Sequence, residues 1–115
     1  MDSTTDKLNG YRRMIEQTLT EIADYIPQDD QAPHKTVFDR NSDSYALIEV
    51  GWTESGRVHQ FIIHIEIING KVWVQVDNTD LNVTRELERA GIAKSDIVLG
   101  FQPPEMRPYT EFAVA

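Results

Sequence analysis

Leu8, Tyr11, Ile15, Leu19, Ile22 and Ile26 recur at steps of three and four, the spacing that lines one face of an α-helix. The pattern predicts a helix from about Thr4 to Tyr25, with Ser3, Thr4 or Asp6 to cap its start and Pro27 to end it. Residues 28–35 are polar and read as a loop, and Thr36 to Asp39 is a short extended piece able to join a sheet. The period then changes to two. From Tyr45 to Trp52, Ala46, Ile48, Val50 and Trp52 alternate with Tyr45, Leu47 and Glu49, a strand with one mostly apolar face. Glu54-Ser55-Gly56 makes a turn, and Arg57 to Ile68 is a long second strand. Asn69-Gly70 suits the two-residue type I′ turn of a hairpin, with Lys71 to Asp77 returning.

That turn predicts a register. If Ile68 faces Lys71, then Glu66 faces Trp73, His64 faces Gln75 and Ile62 faces Asp77, while Ile67, Ile65 and Ile63 face Val72, Val74 and Val76. One face is then pure β-branched hydrocarbon and needs a helix over it. The other is mixed, carrying His64, Glu66, Trp73, Gln75 and Asp77.

Beyond Asn78-Thr79-Asp80 a short second helix is expected from about Asn82 to Ala90, burying Val83, Leu87 and Ala90. Gly91 suits a left-handed helix stop, with Ile92 packing back on Leu87. Ile97 to Phe101 reads as an extended or edge segment. Pro103, Pro104 and Pro108 keep the tail out of regular helix, yet Tyr109, Phe112 and Val114 are apolar enough that the tail should dock on the body. The expected fold is α+β in one domain: an antiparallel sheet of three to five strands, a long N-terminal helix packed on one face, and a short second helix.

Composition narrows the function. The 115 residues fit a single domain. The chain has no cysteine, which excludes disulfides, thiol nucleophiles and cysteine-ligated zinc. The longest apolar run, Phe61 to Ile68, is broken by His64 and Glu66, far short of the ~20 residues of a membrane helix. With no signal-peptide pattern at the N-terminus, a cytoplasmic protein is expected. Net charge is −8, and the stretch from Glu16 to Glu54 holds nine acids against Lys35 and Arg40. Direct DNA binding needs several cations at phosphates, so DNA is expected to be reached only indirectly, through partners. The alternative is a small DNA-binding directionality factor using Arg12, Arg13, Arg85 and Arg89, although a solvated helix face is the favoured reading of those arginines.

Candidate chemistry is sparse. No Gly-rich phosphate loop and no Gly-x-Ser-x-Gly is present. His64, Glu66 and Asp77 could together hold a divalent ion, which would make a metal-dependent hydrolase. They string out along strands, however, and no metal or cofactor is expected. Asp77-Asn78-Thr79-Asp80 has the residue types of a turn and helix cap. Trp73 among polar groups points to a face covered by a partner or by a second copy of the chain. Arg107 and Tyr109, in a tail fixed by prolines, are residue types common in binding hot spots. The partner-binding candidates are therefore His64, Glu66, Trp73, Gln75, Asp77, Arg107 and Tyr109, with no catalytic residue assigned.

Four segments, taken together, resemble one family. They are the run from His64 to Asp77, Arg85-Glu-Leu with Ala90-Gly-Ile, Asp96-Ile-Val-Leu-Gly-Phe, and the run from Pro103 to Ala115. The chain resembles the XisI family of fdxN element excision controlling factors from the first helix to the C-terminus. The resemblance implies a bacterial accessory protein for programmed excision of a DNA element, with strand exchange left to a separate recombinase and a XisH-like protein as companion. Two positions depart from the family pattern. Gln102 stands where His is frequent before the Pro-Pro pair, and Asp77-Asn-Thr-Asp80 replaces Asp-Gly-Thr-Glu.

Overall fold

The computed structural model describes residues 3–115. Helix α1 (Ser3–Tyr25) is followed by strands β1 (His34–Asp39), β2 (Ser44–Thr53), β3 (Gly56–Ile68) and β4 (Lys71–Asp77). Helix α2 (Val83–Ala90) and strand β5 (Ile97–Leu99) complete the set. The strands form one sheet in the order β1-β2-β3-β4-β5. The fold is α+β, as the residue pattern predicts. The sheet is mixed, because α2 carries the chain across so that β5 runs parallel to β4, as a helical crossover requires. The expected extended piece at Thr36–Asp39 begins two residues earlier and is the edge strand β1. No described helix is long and apolar enough to cross a membrane.

Helix α1 buries Tyr11, Ile15, Leu19 and Ile22 on the stripe the spacing predicts, with Leu8 and Ile26 at its margins. Thr4 and Asp6 lie inside the helix, and capping by the Ser3 side chain lies outside what is described. The stripe sits on Tyr45 and Leu47 of β2, Ile63, Ile65 and Ile67 of β3, and Val72 and Val74 of β4. Three polar ties fasten the helix at its edges. Arg12 grips Asp43 with two bonds of 2.8 and 3.1 Å, Arg40 reaches Glu16 at 2.7 Å, and Tyr11 donates to Asp96 at 2.5 Å.

The hairpin register follows the turn for its first four pairs and then departs. Ile68, Ile67, Glu66 and Ile65 face Lys71, Val72, Trp73 and Val74, but His64 faces Val76 and Ile63 faces Asp77. The pairings of His64 with Gln75, Ile63 with Val76 and Ile62 with Asp77 do not form. A bulge leaves Gln75 unpaired and aims its amide at Glu66, 3.2 Å away. It also moves Val76 off the hydrocarbon face, which is why that residue is only half-buried. A second bulge on β3 leaves Ile62 unpaired between the Phe61–Ile48 and Ile63–Leu47 pairs, and both Ile62 and Ile63 are buried. A turn dictates register only nearby; a bulge further along resets it.

Helix α2 buries Val83, Thr84 and Leu87. Ala90, expected inside, is exposed. The stop is of Schellman type: the Gly91 amide bonds to the Glu88 carbonyl, the Ile92 amide to that of Leu87, and Ile92 is buried. The C-terminal segment docks through Phe112 against the core and through the Ala113 amide, which donates to the Ile97 carbonyl at 2.8 Å. Tyr109 and Val114, also expected to dock, stay exposed.

Candidate functional site

Alternation along β2 sends Tyr45 and Leu47 under α1, so Ala46, Ile48, Val50 and Trp52 must line the opposite face. Their cross-strand partners share that face: Val37 and Lys35 from β1, and His64, Phe61, His59 and Arg57 from β3. No described helix lies over it, and Trp52, Val37 and Phe61 are 68%, 46% and 43% exposed. The apolar side of β2 is thus the uncovered one, and these positions were not among the expected site residues. Their signal was present in the alternation. Reading it correctly required the pairing of Tyr45 with Ile65, which the hairpin turn alone does not supply.

Most of the expected site residues gather further along this same face. His64 shares a 2.9 Å hydrogen bond with Ser44 and meets the Phe61 ring edge-on, with centroids 5.0 Å apart. Glu66 accepts from Gln75. Trp73 faces Glu66 across the strands and carries the Arg107 guanidinium over its ring, 4.9 Å from the centroid. Arg107 also donates to the Gln102 carbonyl at 3.1 Å, which fixes the 3-10 segment Pro104–Tyr109 beside the sheet. Gly100 allows this approach, since a Cβ there would run into the Gln75 amide and the Trp73 ring. Met106 and Tyr109 of that segment and Phe101 just before it are exposed, Tyr109 at 84%.

Asp77 does not join them. Its carboxylate accepts from the Thr79 amide and hydroxyl at 3.0 and 2.6 Å and from the Val83 amide at 3.0 Å. It therefore caps α2 from six residues upstream, the role that turn and cap chemistry predicts for the segment. His64, Glu66 and Asp77 do not converge, and the described residues contain no group of three or more His, Asp or Glu placed to hold a metal. A groove on the helical side is lined by Met14, Thr18, Glu21, Ile22, Leu81 and the Glu86–Arg89 ion pair.

The arginines expected of a DNA-binding surface are partly occupied. Arg12 is committed to Asp43 and Arg89 to Glu86, while Arg13 and Arg85 are exposed. The Arg12 guanidinium holds the Asp43 carboxyl below the usual carboxylate range, and burial pushes the Tyr45 phenol, which donates to Asp43, well above its ordinary value. Burial opposes the charge of Asp96, but its bonds to Lys7 and Tyr11 outweigh that and keep its carboxyl low. These perturbed groups tie α1 to the sheet and lie off the open face.

The family described as XisI protein matches residues 5–114. A solved XisI-like protein from Anabaena variabilis is 34% identical, with a TM-score of 0.86 over 91% of this chain and 96% of that one. The solved fdxN element excision controlling factor XisI of the same species is 35% identical, with a TM-score of 0.82 over 95% of this chain and 99% of that one. No curated protein matches. Identity at this level across nearly the whole length of each chain, on one fold, leads to a single assignment: the chain belongs to the XisI family.

Proposed function

We propose that this protein is a non-catalytic, cytoplasmic accessory factor that controls excision of a DNA element, acting by binding a XisH-like partner protein. Its similarity to a protein named an fdxN element excision controlling factor supports the role. The observation that carries the binding mode is the C-terminal segment. Phe101, Met106 and Tyr109 stand exposed on a backbone braced by the Arg107–Trp73 contact. Rigid aromatic and arginine side chains of this kind serve as interface anchors, because little side-chain entropy remains to be lost on binding. A net charge of −8 suits a basic, DNA-handling partner better than DNA itself.

The test is co-expression with a XisH-like protein, followed by pull-down and size-exclusion chromatography. A stable complex is expected, weakened about tenfold or more by Tyr109→Ala or Arg107→Ala. Separate elution at micromolar concentration, with and without DNA, overturns the reading.

A further inference from the structure

That binding mode rests on the C-terminal segment beside Trp73, and the β2 and β3 rows of the open face have a residue arrangement with a symmetry of its own. Five cross-strand pairs follow one another along β2 and β3: Trp52–Arg57, Val50–His59, Ile48–Phe61, Ala46–His64 and Ser44–Glu66. The bulge at Ile62 absorbs the odd residue, so Ile48–Phe61 is the middle row. Arg57 stands two rows to one side of it and Glu66 two rows to the other. The three central rows, with Val37 and Lys35 beside them on β1, contain no carboxylate. The end rows carry opposite charge. Among the described residues Arg57 meets only the Trp52 ring and the Gly51 carbonyl, and Glu66 meets an amide and no cation.

We infer that this face binds a second copy of the chain, sheet against sheet, about a two-fold axis that lies in the interface across the strands at the Ile48–Phe61 row. That axis reverses the strand direction and lays each Arg57 against the Glu66 of the other copy, with Phe61 and Ile48 at the centre. Such isologous contact is the commonest form of assembly. Two chains of net charge −8 repel, and this face lets them meet where the acids are absent or matched by cations. Strands β1 to β4, of six, ten, thirteen and seven residues at ~3.3 Å per residue and ~4.8 Å apart, present at most roughly 570 Å² per copy, at the threshold of a specific interface. A single-stranded nucleic acid stacking on Trp52 and Phe61 is the competing occupant. It is disfavoured by the carboxylates at Glu66 and Asp39 on this face and by the net charge.

Sedimentation equilibrium of the full chain tests the inference, independently of any XisH-like partner. A dimer at micromolar concentration is expected, with Phe61→Asp monomeric and unchanged in far-UV circular dichroism. Arg57→Glu and Glu66→Arg should each weaken the dimer about tenfold, and the two combined should restore it. A wild-type chain that stays monomeric up to roughly 100 µM overturns the inference, as does a dimer that Phe61→Asp leaves intact or a charge swap that fails to restore. Quenching of tryptophan fluorescence by oligothymidylate in a monomeric protein, lost in Phe61→Ala, would assign the face to nucleic acid instead. Tyr109→Ala should leave the dimer unchanged, so failure of the partner reading and failure of this one give different results.

Discussion

Arg12 and Asp43, 31 positions apart, meet through two hydrogen bonds of 2.8 and 3.1 Å and lock α1 to the turn between β1 and β2. Asp43 adopts a left-handed backbone (φ 51°), and its carbonyl accepts from the Ile67 amide. One residue therefore joins helix, turn and central strand. Both side chains are about one-fifth exposed, so the pair is only partly screened. Asp43→Asn is expected to cost about 1–3 kcal/mol near neutrality, measured by urea unfolding.

The same pair sets an acid limit. The Asp43 carboxyl titrates below its ordinary value of 3.8 in the folded chain because Arg12 bonds to its charged form. A depressed folded value means the unfolded chain takes up the proton first. The stabilisation is thus complete above the ordinary value and is lost as pH falls through the folded one. Stability should decline steeply below about pH 4, and Asp43→Asn should show a shallower decline. The slope should not vanish, since Glu16, bonded by Arg40, and Asp96 are also held low. Parallel pH–stability curves for the two proteins would sink this account.

Gly51 lies under the loop of residues 28–33, where a Cβ would overlap the Gln31 carbonyl and meet the Ala32 backbone at 2.8 Å. These are main-chain atoms and cannot rotate away. Gly51→Ala should therefore cost about 3 kcal/mol or more in thermal or urea unfolding. Gly10→Ala, where the nearest atom is the flexible Arg13 tip at 3.9 Å in mid-helix, should stabilise by roughly 0.5–1 kcal/mol. Equal effects at the two sites would contradict the packing described.

Asp77 offers a separation of structural from binding roles. Asp77→Ala removes the acceptor of three hydrogen bonds at the start of α2 and should destabilise by about 1–2 kcal/mol. It should leave the affinity for a XisH-like protein unchanged. Loss of that affinity with stability intact would return Asp77 to the binding surface.

Trp73 can report on the C-terminal segment. Arg107→Ala removes the cation over its ring, which should shift tryptophan emission and cost no more than about 1 kcal/mol of stability. Trp52, far more exposed and at the other end of the face, should respond instead to Arg57→Ala. Identical spectral changes from both substitutions would show that the two environments are not separate.

Most elements were legible because local rules determine them. The three-to-four spacing from Leu8 to Ile26, the Asn69-Gly70 turn and the Gly91 stop each depend on a few consecutive residues, and each is found where expected. What the residue order hid is relational. The bulges at Ile62 and Gln75 depend on what lies across the strand, and they displaced three pairings. Which side of β2 faces α1 depends on its register against β3, so the alternation showed an apolar row without showing that it is the open one. Asp77 looked like a member of a polar face until the bulge turned it to the helix start. Arg107 and Trp73 were picked out separately for their chemistry, and only folding brings them within contact.

The strand order carries a consequence for how the molecule assembles. From β1 to β4 every strand pairs with its predecessor through a short connection, so closing each pair sacrifices little chain freedom. The helix that covers this meander enters from the far end: Tyr11 bonds to Asp96 across 85 positions. The meander can close through local contacts, whereas the Tyr11–Asp96 contact needs both ends of the chain in place and is expected to form late. A weakening of that bond should therefore hasten unfolding while leaving the rate of refolding nearly unchanged.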